Sequence, residues 1–397
     1  MTSTASAGQR SETSPAGSSR GGVRLAVAWA TNFMIGLALY MVTPLMPSIG
    51  DDYGLTPNGM GLMATSFSVA YFLAALLLGS LAGKIGQRRM LVLAMAVFAL
   101  ANLGTALAPS YTWVVITRVV SGAAAGAASP TLYALTSLMA PPERRARWMA
   151  VTVSGLLSAL WAGAPIGAAL VDHVGWRAIF GAMGVIAAAL VLVNLKAWPA
   201  VVPAPEGASE GTFAKGFAVV AVSVCGLWAA AVYGLYTFLG VALDQSSMDG
   251  ATPWLLVCYG VGAIAGIFLG GRWSDTKGAG RTLTAALSGL AVLEFAVAVA
   301  FGAETSVGVG LALLVFAFAA FAAFPAQQSR LVLLFPQQVS AVLAWNSAAL
   351  FLGISVAAGV GGAVISAFSF PWLLAGCGVV GLVAVVVSRI GSARATT

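Results

Sequence analysis

Two stretches decide how this chain is read. They are Gly79-Ser-Leu-Ala-Gly-Lys-Ile-Gly-Gln-Arg-Arg-Met-Leu91 and Gly271-Arg-Trp-Ser-Asp-Thr-Lys-Gly-Ala-Gly-Arg-Thr-Leu283. Gly79, Gly86, Arg89 and Leu91 of the first align with Gly271, Gly278, Arg281 and Leu283 of the second. Each stretch joins the end of one long apolar run to the start of the next. Glycine allows a tight turn and close backbone approach, and the bases hold such a loop at a lipid surface. One loop of this kind is an ordinary basic loop. Two at corresponding places mark an internal repeat.

Composition agrees with a membrane setting. Of 397 residues, 60% are apolar and 8% are charged, against about 25% charged in soluble domains. A water-facing surface of this size could not be covered by so few charges. The net charge of +7 lies in short clusters between apolar runs rather than on a stripe, which argues against nucleic acid as a partner and for the bilayer.

A helix needs about 20 apolar residues to cross the hydrocarbon core. Twelve such stretches are read, at 24–46, 58–82, 90–108, 112–138, 148–171, 177–198, 216–242, 252–273, 282–302, 306–334, 339–366 and 371–390. None shows the two-residue alternation of a membrane barrel. The expected fold class is therefore an all-α integral membrane protein with two pseudo-symmetric six-helix bundles. The N-terminal bundle is placed at 23–198 and the C-terminal bundle at 216–390. Between them, 199–215 reads as a cytoplasmic linker, with three Pro, two Glu and two Gly. Residues 1–22 read as a disordered cytoplasmic tail rather than a cleaved signal peptide, and 391–397 as a second tail.

With this count, 17 of the 19 Lys and Arg fall on one side. Arg177 is alone opposite and Arg118 is inside a span. Basic short loops stay cytoplasmic, so a multi-pass protein of a bacterial-type inner membrane with both termini cytoplasmic is expected. The other side carries Asp51, Asp52, Asp172, Asp244, Asp249 and Glu304. Cys225, Cys258 and Cys377 lie inside apolar runs with no CxxC and no pairing with His173, the one histidine. They read as packing residues, and no metal site or cofactor is expected.

Two six-span halves related by an axis along the membrane normal are the arrangement of the major facilitator superfamily. The sequence resembles that superfamily over nearly its whole length. It looks most like the twelve-span bacterial drug:proton antiporter branch, with its sugar-efflux and chloramphenicol-resistance members. The family loop is Gly-x-x-x-Asp-Arg/Lys-x-Gly-x-Arg/Lys-Arg/Lys. Gly79, Lys84, Gly86, Arg88 and Arg89 match its first copy, while Gly83 stands in place of the Asp. Gly271, Asp275, Gly278 and Arg281 match the second copy, with Thr276 and Gly280 at two of the basic places. The resemblance implies that this Asp belongs to a charge network latching the halves on the cytoplasmic side. Arg118-Val-Val-Ser-Gly122 resembles the fourth-span motif. Gly163-Ala-Pro165-Ile-Gly167 followed by Gly175-Trp176-Arg177 resembles the fifth-span motif in its sugar-efflux and chloramphenicol form.

The resemblance further implies that spans one, four, seven and ten line a central cavity. On span four, Arg118, Gly122, Ala125, Ser129 and Tyr133 form a stripe of three- and four-residue steps. A buried Arg costs about 2.5–3.5 kcal/mol even on a lenient scale, so Arg118 should face a wet cavity or a partner. Span one offers Asn32, Tyr40 and Thr43, span seven Tyr233 and Tyr236. Span ten offers Phe321, Phe324, Gln327 and Gln328 around Pro325. Together they make an aromatic, weakly polar pocket for an amphipathic small molecule. Each tyrosine alone reads equally as a packing aromatic.

Glu294 is the carboxylate placed deep inside a span, and an intramembrane acid is a functional candidate. Its bland reading is a neutral Glu hydrogen-bonded between helices. Arg118, Glu294 and Asp244 are the candidates for proton coupling. Gly262, Gly266 and Gly270 repeat every four residues on span eight, a face that lets helices approach closely.

The expected function is export of a small, fairly apolar organic molecule by a monomeric secondary transporter, through alternating access and in exchange for protons. Uptake of a sugar or organic acid on the same fold is the alternative. A membrane enzyme or receptor is a remote one, because paired acids, His ligands and a nucleophile with its base are missing. A nucleotide-driven pump lacks its Gly-x-x-x-x-Gly-Lys-Ser/Thr loop.

Overall fold

The computed structural model describes residues 15–141, 144–200, 215–336 and 339–393. Residues 1–14, 201–214 and 394–397, which hold most of the two tails and the linker read from the sequence, lie outside the described residues.

The described chain is helical throughout. Its helices are α1 (Pro15–Tyr40), α2 (Val42–Tyr53), α3 (Pro57–Ile85), α4 (Gln87–Ala106), α5 (Tyr111–Met139), α6 (Arg145–Ser158) and α7 (Ala164–Ala197). After the linker come α8 (Lys215–Asp244), α9 (Thr252–Lys277), α10 (Ala279–Gly302), α11 (Ser306–Leu334), α12 (Val339–Ala367) and α13 (Phe370–Ala393). Among the described residues, ten helices are long and apolar enough to cross a bilayer. One of these, Trp148–Ala197, is 50 residues long and is broken at Gly175, whose φ of 75° is non-helical. It supplies two spans. α5 is a further span of 29 residues, its apolar run interrupted by Arg118. The twelve spans read from the sequence are recovered on this basis. α1 begins at Pro15, inside the segment 1–22 read as tail, because Ala, Ser and Arg let a span helix run on past its apolar part.

The repeat has a conformational signature. Gly86 precedes α4 with φ 91° and ψ 132°. Gly278 precedes α10 with φ 91° and ψ 139°. Both matched loops use the same glycine-only backbone state, which a side chain would strain by about 1–3 kcal/mol. The sequence pair thus reflects one turn built twice.

Within each half, glycine faces bring helices together. A Cβ on Gly122 or Gly126 of α5 would lie 2.2 or 2.3 Å from the carbonyl oxygens of Phe67 and Tyr71 on α3. On α9, the same test at Gly262, Gly266 and Gly270 gives 2.1, 2.3 and 2.5 Å to carbonyls of α11. Without a hydrophobic drive between helices in lipid, such close contact supplies dispersion that bulkier residues would forfeit. α1 to α7 pack chiefly on one another, as do α8 to α13. The two groups meet where α3 lies on α12, α2 on α8, and α7 with the turn before it on α9.

Candidate functional site

The site lies where α1, α2 and α8 meet. Pro44 has no N–H, so the Tyr40 carbonyl loses its partner four residues on. The helix breaks at Met41. Tyr236 of α8 donates to the freed Tyr40 oxygen at 2.9 Å. Pro47 likewise frees the Thr43 carbonyl, against which Gly240 sits so closely that a Cβ there would be 2.3 Å away. Two prolines on α2 therefore turn two backbone acceptors toward the other half. Tyr40 and Tyr233 add a hydroxyl pair at 2.9 Å.

Aromatic rings extend this contact into α8, α9 and α11. Tyr40 lies 6.2 Å from Tyr233 and 5.8 Å from Tyr236, centroid to centroid. Trp228 packs 5.7 Å from Phe321 and 5.4 Å from Phe324, and its indole donates to the Ala320 carbonyl at 2.7 Å. Tyr259 bridges Tyr236 and Phe321 at 5.2 and 6.0 Å. Tyr71 of α3 stacks on Phe351 of α12 across the halves. Trp228, Tyr259, Tyr71 and Phe351 were not singled out by the sequence reading. Each stands in an apolar run, where an aromatic reads as packing.

The remaining predicted residues divide. Asn32 donates to Tyr133 at 3.2 Å and to the Thr152 carbonyl at 2.8 Å, joining α1, α5 and α6. Thr43 and Ser129 are buried. Gln328 and Phe324 are half-buried. Gln327 donates to the Ala221 carbonyl at 2.8 Å and to Asn346 at 3.4 Å within its own half. A small cavity of about 10 Å³ lies between Trp228, Phe324, Gln327 and Cys225.

Arg118 is 1% exposed. It donates to the Ala38 carbonyl at 2.8 Å and to that of Met63 at 3.4 Å, and it lies 4.3 Å above the Phe67 ring. It ties α5 to α1 just before the break at Met41. Glu294 of α10 is 0% exposed. Asp244 is exposed and lines a cavity of about 600 Å³ together with Pro44, Asp51, His173 and Gly240. That vestibule opens on the face opposite the Gly86 and Gly278 loops. One helical turn deeper than Pro44 and Gly240 come Tyr40 and Tyr236, so the tyrosine layer lies beneath it.

The motif glycines pack on α1 and on the break that follows it. A Cβ on Gly163 would lie 2.2 Å from Leu37, and one on Gly167 2.8 Å from Met41. The helix makes a π turn at Ala159–Gly163, next to Pro165. Of the loop residues, Arg88 donates to the Leu195 carbonyl, while Arg89, Asp275 and Arg281 are exposed. Lys84 and its neighbours from Gly79 lie in the helical end of α3.

Gly175-Trp176-Arg177 finds a partner the sequence did not name. Trp176 donates to Asp52 at 2.9 Å, and Arg177 pairs with the same carboxylate. The indole N–H and then the guanidinium hold Asp52 below the usual carboxylate range. A depressed carboxylate contributes stability that is fully present above its unfolded value, about 3.9. That stability is lost as the pH falls through the lower folded value. The melting temperature should therefore drop on acidification below about pH 4. Asp52→Asn should flatten that part of the curve, with a small effect because the pair is half exposed. Thermal scans of both proteins across this range test it.

Comparison with known proteins gives one family. The sequence model described as Major Facilitator Superfamily matches residues 28–340 and 251–393. The uncharacterized MFS-type transporter YbcL of Bacillus subtilis (strain 168) is 25% identical over 86% of this chain and 89% of its own length. A chloramphenicol resistance protein of Streptomyces lividans is 28% identical over 61% of this chain and 64% of its own. A bacterial homolog of the human lysosomal transporter Spinster, solved in an inward-facing, occupied conformation, superposes with a TM-score of 0.81. It covers 96% of this chain and 97% of its own at 16% identity, a likeness of fold.

Proposed function

We propose, from the premise that the chain belongs to the Major Facilitator Superfamily, that it exports a small, largely apolar organic molecule in exchange for protons. The observation that carries this reading is the aromatic layer at the junction of the halves. Tyr40, Tyr233, Tyr236, Trp228, Phe321 and Phe324 offer ring faces and a few hydroxyls, which suits an apolar body with one or two polar groups. The name of the Streptomyces relative supports export of such a compound. On this reading the basic loops and both termini are cytoplasmic, the protein sits in the inner membrane as a monomer, and the acidic vestibule opens outward. The tyrosine layer is the outer closure of an alternating-access cycle.

The test is a toxicity panel in a pump-deficient bacterium expressing the chain, with and without a proton uncoupler. Protection that disappears with the uncoupler is the expected result. Compound-dependent growth instead would establish uptake, and protection indifferent to the uncoupler would remove the proton from the scheme.

A further inference from the structure

Glu294 is completely buried, and neither carboxyl oxygen has a hydrogen-bond partner. The hydroxyl of Tyr259 on the adjoining α9 is buried and unpartnered as well. A Glu kept for structure should bridge two helices, because each buried polar atom left unsatisfied costs about 1–3 kcal/mol. The bonds that the structural role requires are not made. An apolar side chain of this shape would serve the fold better.

The surroundings explain what the group can do. α10 is packed by α9, α11 and α13. The buried titratable side chains on two of these flanking helices are Tyr259 on α9 and Cys377 on α13. α11 carries one titratable side chain, Arg330, which lies near the loop face and donates to the Ser388 carbonyl at 2.9 Å. No cation faces Glu294 among the described residues. A group that can take or lose one proton in such a place switches between neutral and strongly unfavourable forms.

The helices packed on α10 reach the closure at two places. The Tyr259 ring lies 5.2 Å from that of Tyr236, which donates to the Tyr40 carbonyl of the other half. Cys377 sits against Gly234, where a Cβ would be 2.4 Å from its sulfur, between Tyr233 and Tyr236 on α8.

We propose that Glu294 is the site at which the carrier takes up and releases its proton, acting on the outer closure through Tyr259 rather than by touching the transported molecule. The step is a proton transfer to water, RCOOH + H2O giving RCOO⁻ + H3O⁺: the O–H bond of the Glu294 acid breaks, its electron pair stays on the carboxylate, water carries the proton away, and Tyr259 keeps its own. The carboxylate then draws the Tyr259 hydroxyl toward it as a donor. Turning that ring withdraws its support from Tyr236 and loosens the bond to Tyr40. The inference rests on the proton-driven reading above and names its coupling residue.

The experiment needs no transported compound. Thr43, buried under the vestibule, is replaced by cysteine in a Cys258→Ser background. An impermeant maleimide is applied to the vestibule side of right-side-out vesicles. Rates are normalised to Ser48→Cys, a half-exposed position on the same face. The normalised rate should change with pH by a factor within the roughly 5- to 150-fold range of coupled equilibria. Glu294→Gln and Glu294→Met should make it pH-independent while leaving a monodisperse protein, and Tyr259→Phe should shrink the response. A pH response that survives in both Glu294 variants overturns the proposal, as does a wild type whose closure ignores pH. Either failure leaves the toxicity panel free to establish export on its own.

Discussion

Gly240→Leu is expected to abolish transport while leaving a folded, monodisperse protein. A Cβ at this position would lie 2.3 Å from the Thr43 oxygen, 3.1 Å from its carbonyl carbon and 3.4 Å from the Pro44 Cα. All three are backbone atoms and cannot swing aside. The clash falls between α8 and α2, that is, between the halves, and each half keeps its own packing. Overpacking costs about 1–3 kcal/mol in a core, and here the protein can escape it by keeping the vestibule side open. A carrier held open on one side cannot complete its cycle. Counterflow and driven uptake in vesicles should both fall at least about tenfold, since about 1.4 kcal/mol of bias already shifts the two states by that factor. Labelling of Thr43→Cys should rise in the same variant. Gly262→Leu makes the contrast, because its Cβ meets the Leu314 oxygen at 2.1 Å inside one half; it should lower folded yield instead. Gly376→Ala, with open space around it, should change neither. Wild-type transport by Gly240→Leu would show that the α2–α8 closure is not part of the cycle.

These glycines also show what a single sequence can reveal. The Gly262–Gly266–Gly270 repeat predicted a face for close approach, and the face is used, because periodicity fixes which side of a helix a residue occupies. It does not fix which helix covers that side. Gly240 has no such repeat; its role depends on a carbonyl that Pro47 frees on a helix almost two hundred positions away. The tyrosine cluster was legible in part for the same reason. Tyr40, Tyr233 and Tyr236 stood out against apolar runs, whereas Tyr259 and Trp228 join the cluster only through tertiary contact. Gln327 lines the small cavity beside Trp228 and Phe324, but that its amide also donates to the Ala221 carbonyl is visible only in the tertiary structure. Asp52 looked like one more acid beyond a span end until Trp176 and Arg177 closed on it. Fold, span count and repeat are properties of long averages along the chain. The partners at the site are properties of single side chains.

Arg118 carries the second large effect, and two terms decide its sign. A guanidinium buried without an acid costs about 2.5–3.5 kcal/mol on the lenient insertion scale. Its bond to Ala38 at 2.8 Å returns about 1.5–3 kcal/mol, the long one to Met63 at 3.4 Å returns little, and the Phe67 contact returns about 0.5–2 kcal/mol. These nearly cancel, so Arg118→Leu should move the melting temperature by only a few degrees, in either direction. Transport is a different matter. Ala38 stands two residues before Tyr40, and Arg118 holds its carbonyl just before the point where the helix breaks. Once released, Tyr40 loses the placement that both Tyr233 and Tyr236 depend on, and a shift of about 1 Å in a positioned group can cost about 100-fold. Arg118→Leu should therefore lose transport by about that factor at nearly unchanged stability. Arg118→Lys, which can reach one carbonyl but not both in a fixed fork, should fall between. Paired melting and vesicle-transport measurements separate the outcomes. A large drop in melting temperature that accounts for all of the lost transport would make Arg118 a structural brace. Near-wild-type transport in Arg118→Leu would remove it from the cycle altogether.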